Sequence, residues 1–297
     1  MTTTPTHSTG YNIRRGLRKA LNYLLMSVLA FIFLFPIWFM LVSSFKQSEL
    51  QVTADVSSLK AFIPYGDIGF QNYIDVFEYL EFGRMLFNSS FIMITTVLIG
   101  LLVNSMIAYA LARLNFTGRG VVLGIIVALI IVPFEAIAVP LLLLVNNLPW
   151  FGEASSWLDT YHVQIIPFIA DAFSIFLFYQ FFINIPKELE EAALVDGASK
   201  LRIYWSIILP LSRPIFATVF ILQALANWNR FMWPLMVTRG VDVRPLTVGM
   251  QSFFGQDPRL WGDLMAFAAM ITIPVLIIFL LFQRWFVQSV ASTGIKG

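Results

Sequence analysis

Residues 88–112 read NSSFIMITTVLIGLLVNSMIAYALA, a run without a single charged side chain. A helix needs roughly 20 apolar residues to cross the hydrocarbon core of a bilayer, so this run predicts a membrane-spanning helix. The composition of the whole chain agrees, because only 12% of its 297 residues are charged and its mean hydropathy is +0.78. Soluble domains carry about 25% charged residues, so the composition argues against a water-facing globule.

Hydropathy extends this prediction to an all-α polytopic membrane protein with six transmembrane helices. The predicted spans are 21–43, 88–112, 121–146, 163–184, 214–237 and 264–286. The first span follows a basic segment, as in a signal peptide, but it exceeds the roughly 7–15 apolar residues of a signal-peptide core. We therefore predict a retained first helix. The chain has no cysteine, which excludes disulfides and thiol chemistry.

The distribution of Lys and Arg predicts that both termini lie in the cytoplasm. With the N-terminus inside, cytoplasmic segments hold twelve basic residues and external segments hold six. The chain then divides into a cytoplasmic tail (1–20), a first helix (21–43), an external loop (44–87), a five-helix core (88–286) with a cytoplasmic loop at 185–213, and a cytoplasmic tail (287–297). Within the external loop, Asp75 to Glu81 predicts a short amphipathic helix.

The cytoplasmic loop contains the polar stretch EAALVDGASKLRIYWSIILP at residues 191–210. Pro186 suits the first turn of a helix, where its missing N–H costs nothing. Gly197 can take a positive φ and end that helix. A second short helix is expected from Ser199 to about Ile208, stopping before Pro210. By itself, this pattern fits an ordinary interfacial helix-turn-helix as well as a docking site for a protein partner.

The stretch fits the pattern EAA-x3-G-x9-I-x-LP and resembles the cytoplasmic coupling loop of ABC importer permeases. The matching residues are Glu191, Ala192, Ala193, Gly197, Ile207, Leu209 and Pro210. Other segments are similar to the carbohydrate-type, MalG-like branch of that family. They are Asn88-Ser89, Ala108 to Phe116 with Gly118, Ile185 to Ala193, Asp196-Gly197, and Trp228 to Leu235. Leu114 departs from the aromatic residue that is usual at its position.

The resemblance implies a type I ABC importer, in a prokaryotic inner membrane, in which this chain pairs with a second homologous permease. Two ATPase subunits would bind the coupling loops, and an extracytoplasmic solute-binding protein would deliver a sugar or sugar-like solute. No Walker A sequence occurs in the chain, so ATP and Mg are expected on the partner ATPase, and no enzyme activity, cofactor or metal on this chain. The implied ATPase-coupling residues are Glu190, Glu191, Ala192, Ala193, Asp196, Gly197, Ile207, Leu209 and Pro210.

Polar side chains within the predicted spans are costly in a membrane and usually face a protein interior. Gln223, Asn227 and Arg230 share one helix face through i, i+4, i+7 spacing. The candidate pathway residues for the solute are Asn104, Gln223, Asn227, Trp228, Asn229, Arg230 and Trp233. Hydrogen bonding between helices explains the same polar stripe equally well.

Two carboxylates, Glu135 and Asp171, also fall within the predicted spans. Glu135 lies between Pro133 and Pro140, which predict a kink, and a structural role such as pairing with Arg230 is favoured over a proton relay. The alternative function is a proton- or sodium-coupled secondary transporter that uses both carboxylates, and an intramembrane enzyme is a further alternative. For an importer, sugars or polyols are the first expected solutes and glycerol phosphates the second.

Overall fold

The computed structural model describes residues 9–148, 156–255 and 260–293, with side chains described for residues 16–148, 156–255 and 260–282. The ends of the two predicted tails, residues 1–8 and 294–297, lie outside this part of the chain. The described residues form helices joined by loops, and their only β contact is a single bridge between Lys46 and Ile68. The all-helical class predicted from the sequence is therefore confirmed.

The helices are numbered in chain order within the described residues. They are α1 (Thr9–Ser44), α2 (Glu49–Asp55), α3 (Gln71–Tyr79), α4 (Phe82–Arg113), α5 (Arg119–Ile131), α6 (Phe134–Asn146), α7 (Tyr161–Ile165), α8 (Ala172–Ile183), α9 (Glu188–Val195), α10 (Lys200–Ile203), α11 (Leu209–Leu211), α12 (Arg213–Trp228), α13 (Met232–Val237), α14 (Leu246–Gly249), α15 (Gln251–Phe254) and α16 (Trp261–Thr293). Short 3-10 turns occur at Leu59–Phe62 and Ile166–Phe168, and a π turn at Tyr204–Ile208.

Four helical segments of the described chain are long and apolar enough to cross a membrane. They are Gly16–Ser44, Phe82–Arg113, Tyr161–Ile183 and Trp261–Phe282. Two bent pairs of helices, α5 with α6 and Lys200–Leu211 with α12, bring the count to six if each pair forms one span. The described residues thus hold four to six candidate spans. The exact number six and the cytoplasmic position of both termini remain predictions.

The third predicted span, 121–146, is not one straight helix. It consists of α5 and α6, which are bent by 104°. Val132 has an extended backbone with φ −73° and ψ 115°, because the ring of Pro133 disfavours the α conformation in the preceding residue. Pro140, in contrast, lies inside α6. The break that the two prolines predict is therefore located at Pro133.

The fifth predicted span, 214–237, is also interrupted, which differs from the continuous helix expected from hydropathy. α12 ends at Trp228, and α13 begins at Met232. Pro234 lies in the first turn of α13, where a helix tolerates a residue without an N–H group. Arg230 lies in the break, and its carbonyl accepts a 2.8 Å hydrogen bond from Thr247 Oγ1.

The chain divides into two compact units, and the first comprises residues 1–76 and 256–270. This unit contains a buried ion pair in which Lys46 Nζ lies 2.8 Å from Asp55 Oδ2. Tyr65 donates a 2.5 Å hydrogen bond to the other oxygen of the same carboxylate. These hydrogen bonds, first from Lys46 and then from Tyr65, hold the pKa of Asp55 below its usual value of 3.8. Much of the predicted external loop is therefore organised around a buried charge pair.

The short helix predicted within this loop is present but begins and ends earlier than residues 75–81, as α3. The buried side chain of Asn72 fixes its first turn. Asn72 Nδ2 donates to the carbonyls of Ser44 and Lys46 at 2.9 and 2.8 Å. This anchorage joins the start of α3 to the end of α1, a tertiary contact that local amphipathicity does not reveal.

The second unit, residues 77–255 and 271–297, is built around α4, which packs against α8 and α12. Buried side chains of these helices form an apolar cluster that includes Phe178 and Phe182 of α8. The same cluster contains Ile203, Tyr204 and Ile208 from the predicted coupling loop. The loop is thus part of the core of this unit, so its position is fixed by the packing of the transmembrane helices.

Candidate functional site

The first helix of the candidate coupling site is α9, which carries three glutamates in its first turn, near the positive end of the helix dipole. The helix ends at Gly197, whose φ of +77° lies in the left-handed region. The Gly197 N–H bonds to the carbonyl of Leu194 at 3.0 Å, and the Ala198 N–H bonds to that of Ala193 at 2.9 Å. This pair of bonds is a Schellman motif, which favours glycine at the left-handed position.

The second coupling segment, Lys200–Leu211, does not stop before Pro210, so that part of the prediction is wrong. The backbone widens into a π turn at Tyr204–Ile208, and the N–H of Leu209 bonds to the carbonyl five residues back. The widened turn displaces the carbonyl that the ring of Pro210 would strike in a regular helix. The helical segment therefore continues through the proline.

A buried ion pair fastens α9 to the end of α4. Arg113 Nε lies 3.0 Å from Glu190 Oε1, and the two side chains are only 2% and 7% exposed. The Arg113 guanidinium also donates to the carbonyls of Phe182 and Ile185 at the end of α8. One side chain therefore connects α9 with the ends of α4 and α8.

A tyrosine of α4 holds the second coupling segment in a similar way. The hydroxyl of Tyr109 donates a 3.3 Å hydrogen bond to the carbonyl of Lys200. The ring of Tyr109 also lies 5.4 Å from the ring of Tyr204, whose hydroxyl is 2.7 Å from Ser105 Oγ. Both helical segments of the loop are thus attached to α4.

Much of the remaining surface of α9 is exposed. Glu191 and Ala192 are exposed there, together with apolar side chains that a soluble surface normally avoids. Leu189, Leu194 and Val195 are 43%, 40% and 89% exposed. A small-residue position flanked by exposed apolar side chains is typical of a protein-docking surface.

The structure divides the predicted coupling residues into an exposed and an inward-facing group. Glu191, Ala192, Asp196, Gly197 and Pro210 are exposed. Ala193, Ile207 and Leu209 pack against the apolar core cluster, and Glu190 is buried beside Arg113. The sequence patterns do not single out Arg113 or Tyr109 as site residues. Both lie in the segment 108–116 that resembles the importer family, which is the signal that points to them.

A cavity of about 180 Å³ lies between the start of α8 and the end of α12. Gln223, Asn227 and Arg230, which were predicted to share a helix face, all line it, together with Phe168 and Asp171. The guanidinium carbon of Arg230 is 3.2 Å from the centroid of the Phe168 ring. The polar stripe of the predicted pathway therefore faces a common space.

The other predicted pathway residues have different surroundings. Asn104 is fully buried, and its amide group makes two 3.0 Å hydrogen bonds to the backbone of residues 169–171. Trp228 and Trp233 are buried and donate their indole N–H groups to main-chain carbonyls at 3.1 and 2.9 Å. Asn229 is exposed and donates to a carbonyl of α12. Asn104 and the two tryptophans hold helices and loops together in this structure.

The two intramembrane carboxylates are far from equivalent. Glu135 is exposed in the first turn of α6, and the ion pairs among the described residues do not include a Glu135–Arg230 pair. Asp171 is the N-cap of α8, where its carboxylate accepts a 2.8 Å hydrogen bond from the N–H of Ser174. Asp171 thus has the structural role that its sequence position left unexplained.

Comparison with known proteins gives relatives that span these elements. The family of binding-protein-dependent transport system inner membrane components matches residues 97–292. The arabinooligosaccharides transport system permease protein AraQ of Halalkalibacterium halodurans is 32% identical over 289 residues, covering 96% of this chain and 100% of that protein. The sn-glycerol-3-phosphate transport system permease protein UgpE of Yersinia enterocolitica is 34% identical over 215 residues, covering 71% of this chain and 74% of that protein.

A solved structure has the same fold. A chain from the crystal structure of a bacterial ABC transporter involved in the import of the acidic polysaccharide alginate aligns with a TM-score of 0.77 and 25% identity, covering 95% of this chain and 100% of that one. The family match contains the coupling segments, Arg113 and the cavity around Arg230. The chain therefore belongs to the family of binding-protein-dependent transport system inner membrane components, the permeases of ABC importers.

Proposed function

We propose that this chain forms half of the translocation pathway of an importer for a sugar or sugar-like solute, and that loop 185–213 couples the pathway to a separate ATPase. The observation that carries the proposal is the two-sided character of α9. One side is exposed, and the other is clamped by Glu190 to Arg113 of α4. A helix with this arrangement receives a force at its exposed side and passes it to the transmembrane helices.

The exposed side of α9 has the chemistry of a docking surface. Glu191 lies near the positive end of the helix, where it is available to a basic residue of an ATPase groove. Gly197 keeps the turn compact behind it. Closure of two ATPase subunits on ATP and Mg would move the two docked coupling loops, and the attached α4 and α8 would then open the pathway.

The remaining partners follow from the relatives. AraQ and UgpE are named as permeases of transport systems for arabinooligosaccharides and sn-glycerol-3-phosphate. A further structural neighbour is a bacterial alginate ABC transporter in complex with an alginate pentasaccharide-bound periplasmic protein. These names support a second homologous permease, two ATPase subunits and an extracytoplasmic solute-binding protein as the partners of this chain. They also support a saccharide or polyol derivative as its solute.

The test is to measure uptake in cells that express the whole importer with either an active or a Walker A-disabled ATPase. Uptake is expected to collapse with the disabled ATPase and to survive a moderate loss of the proton gradient. The opposite pattern would overturn the importer and favour a secondary transporter. Purification of the tagged chain in mild detergent is expected to bring down the ATPase and the second permease.

A further inference from the structure

We propose that the cavity beside Arg230 selects solutes that carry both hydroxyl groups and a negative charge, supplied by a carboxylate or a phosphate, and that Arg230 is the residue that makes this selection. The inference rests on the proposed importer function and names the chemical class of its solute. It is carried by the arrangement of polar atoms around the cavity.

The half-buried Arg230 differs from Lys46 and Arg113 because it has no ion pair among the described residues. Lys46 is paired with Asp55, and Arg113 is paired with Glu190. The Nη1 atom of Arg230 is buried and has no hydrogen-bond partner among the described residues. A cation in a protein interior is costly unless it is paired, and inside membranes such residues generally have a functional role. The guanidinium is therefore available to an anionic group.

Phe168 keeps the guanidinium in place without using its hydrogen-bond donors. The 3.2 Å separation between the Arg230 guanidinium carbon and the ring centroid puts the cation against the face of the aromatic ring. This contact stabilises the charge electrostatically through the ring quadrupole. The N–H groups in the plane of the guanidinium stay available, and their fork geometry suits a carboxylate or phosphate.

Gln223 supplies the complementary site for a hydroxyl group. Its side chain is 95% buried, since the residue is only 5% exposed, and it lines the same cavity as Arg230. Its Nε2 donates to Ser174 Oγ at 2.9 Å, whereas its Oε1 is buried and has no partner among the described residues. This oxygen lies against Gly100 of α4, and a hydroxyl donor that reaches it would satisfy an unpaired acceptor.

Among the described residues that line the cavity, the one carboxylate is that of Asp171, and it is already engaged. Its Oδ2 accepts the N–H of Ser174, and it lies at the positive end of the 12-residue helix α8. The helix N-terminus offsets part of the negative charge of Asp171, so this carboxylate neutralises the charge of Arg230 only in part. The electrostatic balance of the cavity therefore favours an anion beside Arg230, with Asp171 accepting hydroxyl groups of the same solute.

The test is uptake of four labelled probes by cells that carry the whole importer with its own binding protein. The probes form two matched pairs, namely a neutral arabinose trisaccharide with a uronate trisaccharide, and glycerol with glycerol 3-phosphate. We expect ATP-dependent uptake of one acidic probe, and its identity separates a carboxylate from a phosphate. Arg230→Gln is expected to lower this uptake at least about tenfold, the factor that corresponds to about 1.4 kcal/mol, and Arg230→Lys to lower it less. The exposed Arg239→Gln is the control and is expected to leave uptake unchanged.

Equilibrium binding of the same probes to the purified complex of this chain with its partner permease supplies a second measurement. We expect the complex to bind an acidic probe, and we expect Arg230→Gln to abolish this binding. A different outcome is ATP-dependent uptake of a neutral probe at the same rate in the wild type and in Arg230→Gln. That result would overturn the assignment of an anionic solute but would leave the importer function intact. Absence of both binding and uptake of the acidic probes would also overturn it. Uptake that does not depend on the ATPase would instead overturn the importer itself.

Discussion

Arg113 and Arg230 are two arginines of the same helical unit, and their surroundings differ. Arg113 is 2% exposed, is paired with Glu190 and donates to two main-chain carbonyls at the end of α8. Arg230 lies in the break between α12 and α13, stacks on Phe168 and has no carboxylate partner among the described residues. The Arg113 guanidinium is paired with a carboxylate and two carbonyls. The Arg230 guanidinium lies against an aromatic ring, and its Nη1 has no hydrogen-bond partner among the described residues.

The difference is consistent with the two functions that we propose for these arginines. A guanidinium that is paired with a carboxylate and two carbonyls joins helices, which suits the transmission of movement from a coupling loop. An unsaturated guanidinium beside a cavity retains binding energy for a solute. Removing the charge of Arg113 is therefore expected to lower stability strongly. Removing that of Arg230 is expected to lower uptake with little change in stability, which makes the comparison testable.

The largest effect is expected for Arg113→Met, because it leaves the carboxylate of Glu190 buried and unpaired. Removing one partner of a buried ion pair costs about 3–5 kcal/mol. The measurement is the thermal stability of the purified chain in detergent, with the exposed Arg202→Met as control. The double variant Arg113→Met with Glu190→Met is expected to recover much of the stability, since apolar residues then replace both charges. Equal stability of Arg113→Met and the control would contradict the role of the pair.

The second-largest effect is expected for the turn that follows α9. Gly197→Val puts a β-branched side chain at a φ of +77°, which costs about 1–3 kcal/mol of local backbone strain. We expect normal membrane insertion in cells that express the whole importer. In the importer reconstituted in vesicles, we expect ATP hydrolysis that no longer drives uptake. Gly197→Asn is the matched control, because Asn tolerates the left-handed region better. Normal uptake by the Val variant would remove the coupling role of this turn.

A smaller effect on stability is expected for Arg230→Met, which is the direct counterpart of Arg113→Met. The lost contact with Phe168 is worth about 0.5–2 kcal/mol, and relief from the burial of an unpaired charge offsets it. The net change is therefore expected to stay within about 1 kcal/mol, although uptake falls. A loss of thermal stability as large as that of Arg113→Met would show that both arginines are structural.

The smallest effect near neutral pH concerns the buried ion pair between Lys46 and Asp55. The pKa of Asp55 is lower in the folded chain than in the unfolded chain, where it is 3.8. The ionised carboxylate therefore contributes its full stabilisation above pH 3.8, and this contribution is lost as the pH falls through the pKa of the folded chain. Stability attributable to this pair is expected to be constant between about pH 7 and pH 5 and to decline only below about pH 4. Thermal unfolding of the wild type and of Asp55→Asn measures it, and a difference that shrinks already above pH 5 would contradict the assignment.

Much of the helical architecture follows from local sequence. The apolar run at 88–112 lies within α4, and the break at Pro133 follows from the geometry of a proline peptide. Gly197 terminates α9 as its position in the loop predicts. These features depend on neighbours along the chain, so periodicity and residue type are sufficient to place them.

The continuation of the coupling helix through Pro210 was not accessible from sequence. A proline normally ends a helix, and the exception arises because the π turn at Tyr204–Ile208 is held by the core cluster. Trp228 and Trp233 show the same limitation. Spacing places aromatic residues near a polar stripe, but only tertiary contacts direct their indole N–H groups to carbonyls of other segments.

The sequence by itself determined that this chain is an all-helical membrane protein with a coupling loop of the importer type, because hydrophobic length and a short motif are local properties. Only the tertiary structure decided that Glu190 is buried against Arg113 while Glu191 is exposed, and that Arg230 lies beside a cavity with no ion-pair partner among the described residues. These distinctions depend on which polar groups meet across distant segments. The energy of a buried charge is set by those partners, and helix packing alone brings them together.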